Sequence, residues 1–177
     1  MNIYLVGYRG TGKSSVSRRL LDIMEAPWAV AEMDRIIESR ARKSIAEIFA
    51  KETEEGFRRR ERSLLAELGR QSFWIVSTGG GIVLSPENRR VLKQGFTVWL
   101  KASVATIDAR LSADEAHRAS RPNLTAVGGR AEIEQMLAQR TPLYGEVARL
   151  TLSSDDSSPL DLARTIEERF RKAGFRS

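Results

Sequence analysis

The 177-residue chain has no cysteine and a single histidine, His117. Without a thiol there is no disulfide, no thiolate nucleophile and no cysteine-based metal site. No run of residues is long and apolar enough to span a bilayer. The first strand-like run begins by residue 2 or 3, which leaves no room for a signal peptide ahead of it. The expectation is therefore a cytoplasmic protein with no membrane partner. Lysine is scarce beside arginine, and the net charge is +6. Arginine suits bidentate recognition of carboxylates and phosphates. A basic chain can also bind nucleic acid. Here, however, the arginines are scattered apart from the run Arg58-Arg59-Arg60-Glu61-Arg62, and no aromatic–basic alternation offers a base-stacking surface. No nucleic-acid partner is expected. Repeats, low-complexity tracts and interdomain linkers are also missing, so a single domain over residues 1–177 is predicted.

What the chain does have is Gly7-Tyr8-Arg9-Gly10-Thr11-Gly12-Lys13-Ser14, which fits the phosphate-loop pattern G-x-x-x-x-G-K-[ST]. The apolar run Ile3-Tyr4-Leu5-Val6 precedes it as a strand, and Val16, Leu20, Leu21 and Met24 follow at helical spacing. Glycines let this backbone turn tightly and approach an anion, so the N–H groups of Gly10, Thr11 and Gly12 face phosphate oxygens at a helix N-terminus. The motif places Lys13 within reach of the β- and γ-phosphates and the Ser14 hydroxyl on Mg²⁺. Ser15 either joins the site or is a helix-surface serine.

Strand and helix patterns alternate along the rest of the chain, which predicts an α/β fold with a central, mostly parallel sheet flanked by helices. Strands are expected at 28–30, 73–76, 96–100 and 149–152. Helices are expected around 33–41, after the capping box Ser44-Ile45-Ala46-Glu47, along the stripe Phe57, Leu64, Leu65, Leu68, and at 86–94, 105–111, 131–140 and 159–172. Residues 112–127 lack periodicity and carry Arg118, Arg121 and Pro122; a loop of that length predicts a lid.

Three further features point to chemistry. No acid follows the strand at 73–76, but Glu32 and Asp34 follow the second strand, at the sheet edge that the phosphate loop shares. Asp34 can accept a proton from a substrate hydroxyl, and Glu32 can hold a metal's water shell; Asp34 can also be a helix N-terminal acid. Gly79-Gly80-Gly81 offers bare backbone to a ligand at an entropic cost that a mere loop does not require. Arg58 and Arg140 are candidates to clamp an anionic substrate, and Arg121, in the lid, can cover a transferring phosphate. His117 receives no catalytic role.

These residues together resemble the shikimate kinase family, small P-loop kinases of the aromatic amino acid (chorismate) pathway, from Asn2 to about Phe170. Beside the phosphate loop, Glu32-Met33-Asp34 resembles the family's Asp-x-Asp, and Phe57-Arg58-Arg59-x-Glu61 its Phe-Arg-x-x-Glu. Ser77-Thr78-Gly79-Gly80-Gly81 is similar to its triple-glycine motif, Arg121-Pro122 to the Arg-Pro of its lid, and Arg140-x-Pro142-x-Tyr144 to its Arg-x-Pro-x-Tyr. The resemblance implies a three-layer, P-loop NTPase-type fold, nucleoside monophosphate kinase-like, and ATP-dependent phosphorylation of the shikimate 3-hydroxyl with Mg²⁺. It implies that Asp34 contacts that hydroxyl, that Arg58 and Arg140 bind the carboxylate, and that Gly79, Gly80 and Gly81 line the substrate. Lys13 and Arg121 would stabilise the transferring phosphoryl, with Ser14 and Glu32 serving the metal. A substrate-binding subdomain would span about 32–61, the lid would lie at about 112–127, and the protein would be a monomer. Glu32 stands where the family has aspartate, and Asn123 where it favours an apolar residue. A gluconate kinase is the alternative acceptor class. A non-catalytic nucleotide-binding protein ranks below both, because Lys13, Ser14 and Asp34 are all present.

Overall fold

The computed structural model describes residues 1–113 and 129–174. Among them, five strands form one sheet: β1 (Ile3–Val6), β2 (Ala29–Glu32), β3 (Trp74–Ser77), β4 (Phe96–Lys101) and β5 (Leu150–Ser153). Their order is β2-β3-β1-β4-β5, and every neighbouring pair is parallel. Among the described residues, seven α-helices flank the sheet: α1 (Lys13–Ile23), α2 (Met33–Ala41), α3 (Ile45–Gly69), α4 (Pro86–Gln94), α5 (Val104–Ala113), α6 (Gly129–Val147) and α7 (Pro159–Lys172).

The layering follows from β1. All four of its residues are buried, and successive strand side chains point to opposite faces. Ile3 and Leu5 join Val16 and Leu20 of α1 and Leu162, Ile166 and Phe170 of α7 in one core. Tyr4 and Val6 join Ile37, Phe57, Leu65 and Tyr144 in the other. A strand buried on both faces reads as a continuous apolar run, as parallel sheets require. From β1 the chain goes first to β2 and β3 on one side, then to β4 and β5 on the other. The loops after β1 and β3 therefore meet at the carboxyl edge beside this reversal, where open α/β sheets bind ligands. Gly7 opens the first loop with φ 142°, and a Cβ there would lie 2.3 Å from the Leu100 carbonyl oxygen. Only glycine lets the loop pass that closely beneath β4.

The structure corrects several sequence boundaries. Strand β2 begins and ends later than expected, so Glu32 is its last residue and Asp34 falls in the first turn of α2. Phe73 precedes β3 with φ 67° and is not part of it. Leu21 is exposed, although Val16, Leu20 and Met24 are buried. The capping box at Ser44 and Glu47 is present. The helix it opens runs on to Gly69, broken only at Thr53 (φ 65°, ψ 174°). The helix expected at 131–140 extends to Val147 through Pro142. An interior proline costs about 3 kcal/mol, and the burial of Tyr144 and Val147 beyond it offsets that cost. Residues 112 and 113 belong to α5; the remainder of the expected lid, including His117, Arg118, Arg121 and Asn123, lies outside the described residues.

Candidate active site

Two cavities open side by side at the carboxyl edge of the sheet. The first, about 220 Å³, lies over the phosphate loop and is lined by Gly10, Gly12, Lys13, Ser14 and Ser15, by Ser77 and Thr78 after β3, and by Arg110 and Leu111 of α5. The second, about 180 Å³, is walled by Ile45, Phe49 and Phe57 and carries Glu54, Arg58, Glu61, Gly79, Gly81, Tyr8 and Arg140. Arg9, Asp34 and Gly80 line both. The arrangement separates a polar cradle from a mixed apolar and ionic pocket, with a carboxylate at the seam.

The cradle is closed by its own hydrogen bonds. Lys13 is buried, and its Nζ donates to the carbonyls of Gly7 (2.9 Å) and Tyr8 (2.7 Å). Thr11 Oγ1 donates to the Tyr8 carbonyl at 2.8 Å, so this hydroxyl shapes the loop. The hydroxyls of Ser14 and Ser77 lie 3.4 Å apart. Arg110 reaches back from α5 to the Gly10 carbonyl at 3.2 Å and to the Ser154 carbonyl at 2.5 Å, tying the loop to the chain after β5. Glu32 is placed differently. Its Oε1 accepts two hydrogen bonds from Arg18 at 3.2 and 3.0 Å, its Oε2 faces Arg35 at 3.3 Å, and it lines neither cavity.

The second cavity is built around a buried ion pair. Arg58 Nη1 donates to Glu61 Oε2 at 2.8 Å. On the other edge of the guanidinium, Nε and Nη2 both donate to Oε1 of the exposed Glu54, at 3.3 and 3.1 Å. Glu61 is 1% exposed, and its Oε1 has no hydrogen-bond partner. Burial pushes the Glu61 carboxyl above its usual range, against the pull of Arg58. Burial also works against the charge on Arg58, but Glu61 and Glu54 outweigh it and hold the guanidinium above its ordinary value.

The missing side chains of the glycine run make room for this pair. A Cβ on Gly79 would lie 2.8 Å from Glu61 Oε1, and one on Gly81 would lie 2.3–2.5 Å from the Arg58 guanidinium. The Gly80 carbonyl accepts from Tyr144 Oη at 2.5 Å. Burial raises the Tyr144 phenol well above its ordinary value, so it remains a donor.

Arg140 comes from α6 and is 5% exposed. Its Nη2 contacts Met136 Sδ at 3.3 Å, its guanidinium lies 5.9 Å from the centre of the Tyr8 ring, and its Nε is buried with no hydrogen-bond partner. Among the described residues it makes no ion pair at salt-bridge distance. A desolvated cation so placed favours an anionic ligand.

The structure thus brings Gly10, Gly12, Lys13, Ser14, Ser15 and Asp34 to one cavity, and Asp34, Arg58, Gly79, Gly80, Gly81 and Arg140 to its neighbour. Glu32 stays outside both, and Arg121 lies outside the described residues. Sequence reasoning gives Glu61 and Tyr144 no role and does not single out Arg9 or Arg110. Glu61 and Tyr144 stand in motifs that carry the family resemblance and Arg9 stands inside the phosphate loop, whereas Arg110 has no local signal.

Comparison with known proteins fits this geometry. Residues 9–171 match the profile of the family described as Shikimate kinase. The chain belongs to the shikimate kinase family. A relative named shikimate kinase from Symbiobacterium thermophilum is 37% identical over 177 residues, covering 99% of each chain. Another from Nitrosospira multiformis is 41% identical over 168 residues, covering 94% of this chain and 83% of the relative. The solved structure of shikimate kinase from Acinetobacter baumannii in complex with shikimate superposes with a TM-score of 0.88 at 35% identity, over 97% of this chain and 93% of that one. A gluconokinase from Sinorhizobium meliloti reaches a TM-score of 0.62 at 14% identity over 97% of this chain and 92% of that one, a likeness of fold alone.

Proposed function

We propose that the chain transfers the γ-phosphoryl group of ATP to the 3-hydroxyl of shikimate, giving shikimate 3-phosphate and ADP. The observation that carries this reading is the pair of adjoining cavities that share Asp34. One is a backbone-lined phosphate cradle, and the other holds a buried arginine suited to a carboxylate.

The loop N–H groups and Lys13 bind the nucleotide phosphates, the lysine exchanging loop carbonyls for phosphate oxygens. The donor set fits Mg²⁺: a hard cation that takes oxygen ligands, keeps several waters and relies on substrate phosphates. Ser14 would hold the ion with Asp34 nearby, and the ion would neutralise charge on the phosphates. Among the described residues no cluster of three or more acids or histidines competes for it. Glu32 would reach the ion's water shell only by leaving Arg18 and Arg35, which now hold it.

Shikimate lies in the second cavity, its ring against Ile45, Phe49 and Phe57. Arg140 and Arg58 bind its carboxylate. On Arg58, the Nε–Nη2 edge now filled by Glu54 is the one shaped for two parallel hydrogen bonds, so the substrate displaces an exposed glutamate and leaves the buried Glu61 pair intact. Backbone at Gly79 to Gly81 forms the floor. Asp34 orients the 3-hydroxyl and takes its proton as the oxygen attacks phosphorus. The proposed substrate segment, about 32–61, supplies the apolar wall and Arg58. The proposed lid at about 112–127 carries Arg121, whose charge would meet the transferring phosphoryl, and would exclude water as it closes. We assign a monomer, with no nucleic-acid or membrane partner. Among the described residues, no helix is long and apolar enough to cross a membrane.

The regiochemistry is testable by ³¹P and ¹H NMR of the product. Phosphorus coupled to the proton on C3 is expected; coupling to C4 or C5 would overturn the placement of the hydroxyl beside Asp34.

A further inference from the structure

Arg9 is the third residue of the phosphate loop and the one cationic side chain, among the described residues, that lines both cavities. Its Nη2 donates to Glu132 Oε1 at 2.5 Å. Glu132 stands in the first turn of α6 and is completely buried. A carboxylate removed from water costs several kcal/mol unless a cation meets it, so the pair locks the guanidinium in place across 123 residues of sequence. The Arg9 side chain is 17% exposed, and its Nε is buried with no hydrogen-bond partner. The guanidinium also lies 5.7 Å from the centre of the Tyr8 ring. Glu132 engages one corner of the fork, and the side chain so held lines both cavities, at the seam where phosphoryl transfer would occur.

We propose that Arg9 is a further catalytic residue of this chain, meeting the phosphoryl group as it passes between the two cavities, and that Glu132 is the positioning residue that holds it. The proposal rests on the kinase reading above. Arg58 and Arg140 line only the acceptor cavity and Lys13 only the cradle. Among the described cationic side chains, Arg9 alone is placed to follow charge that moves from one to the other. A donor fixed before the reaction, in a site that excludes water, stabilises developing charge without reorganising.

The test is steady-state kinetics of wild type, Arg9→Met, Arg9→Lys and the double variant Arg9→Met/Glu132→Gln, with thermal unfolding of each. For Arg9→Met, kcat is expected to fall about 10²-fold, the usual loss for one fixed donor, while KM for ATP and for shikimate stays within about threefold. Arg9→Lys is expected to recover part of kcat, since it keeps the charge and loses the fork. The double variant removes the buried charge together with its partner, so its stability should return while kcat stays low. Recovery of kcat in the double variant would make Arg9 a structural residue only and overturn the proposal. A raised shikimate KM with unchanged kcat would also overturn it, by making Arg9 a ground-state contact. Should wild type itself release no ADP with shikimate, the kinase reading fails; should wild type turn over and all three variants match it, this inference alone fails.

Discussion

Asp34→Asn is expected to lower kcat by about 10²- to 10⁴-fold, the range for loss of a positioned proton acceptor, while ATP and shikimate still bind. Asparagine keeps the size of the side chain and one carbonyl oxygen, so the shape of the seam survives. What is lost is the negative charge and the capacity to take a proton. Asp34 lines both cavities, and the first turn of α2 fixes its position. Phosphoryl transfer leans heavily on positioning, so the size of the fall has a meaning. A loss of about 10²- to 10⁴-fold assigns Asp34 to removing the proton, and a loss between about tenfold and about 10²-fold assigns it mainly to orienting the hydroxyl. Calorimetric titration of both substrates is the control. A variant within about tenfold of wild type, with both substrates bound, would remove Asp34 from the chemistry.

Arg58→Ala is expected to damage both binding and stability, and the two effects can be separated. Losing a charge-assisted contact to the carboxylate costs about 1.5–3 kcal/mol, which raises the shikimate KM roughly 10- to 150-fold and leaves the ATP KM within about twofold. Glu61, 1% exposed, then loses the cation that compensates its burial. Breaking a buried pair in this way costs about 3–5 kcal/mol, so the midpoint of thermal unfolding should fall by several degrees. Arg58→Ala/Glu61→Gln should regain much of the stability and none of the shikimate affinity. An Arg58→Ala protein with wild-type KM would exclude Arg58 from the carboxylate site. A double variant that recovers KM would mean that the arginine serves only to neutralise Glu61.

What could be read from the sequence was local. The phosphate loop is a fixed spacing of residue types, and the order strand, loop, helix around it is a change of apolar period from Ile3–Val6 to Val16, Leu20 and Met24. The start of α3 was legible because Ser44 and Glu47 satisfy each other's backbone within four residues. The resemblance then placed Asp34, Arg58, the glycine run and Arg140 in one site, and the structure sets their positions around two adjoining cavities.

What could not be read was set by distant contacts. The continuation of α6 through Pro142 defies the local rule because Tyr144 bonds Gly80 and stacks with Trp99 at 5.7 Å. The break at Thr53 has no proline or glycine to announce it. Glu32 reads as a metal-side acid from its place after β2, yet Arg18 and Arg35 occupy it. The glycine run reads as bare backbone for a ligand; two of its members also leave room for the carboxylate of Glu61 and the guanidinium of Arg58. The partnership of Arg9 with Glu132 joins the phosphate loop to a helix that no local pattern links to it.

A donor site and an acceptor site that serve one transfer make ADP release depend on the acceptor. The most direct measurement is ADP release from ATP and Mg²⁺ with shikimate, with gluconate, and with no acceptor. Rapid release is expected with shikimate, and only background release in the other two. Release driven by gluconate, or no acceptor-dependent release from a protein that still binds ATP, would contradict this pairing of the sites.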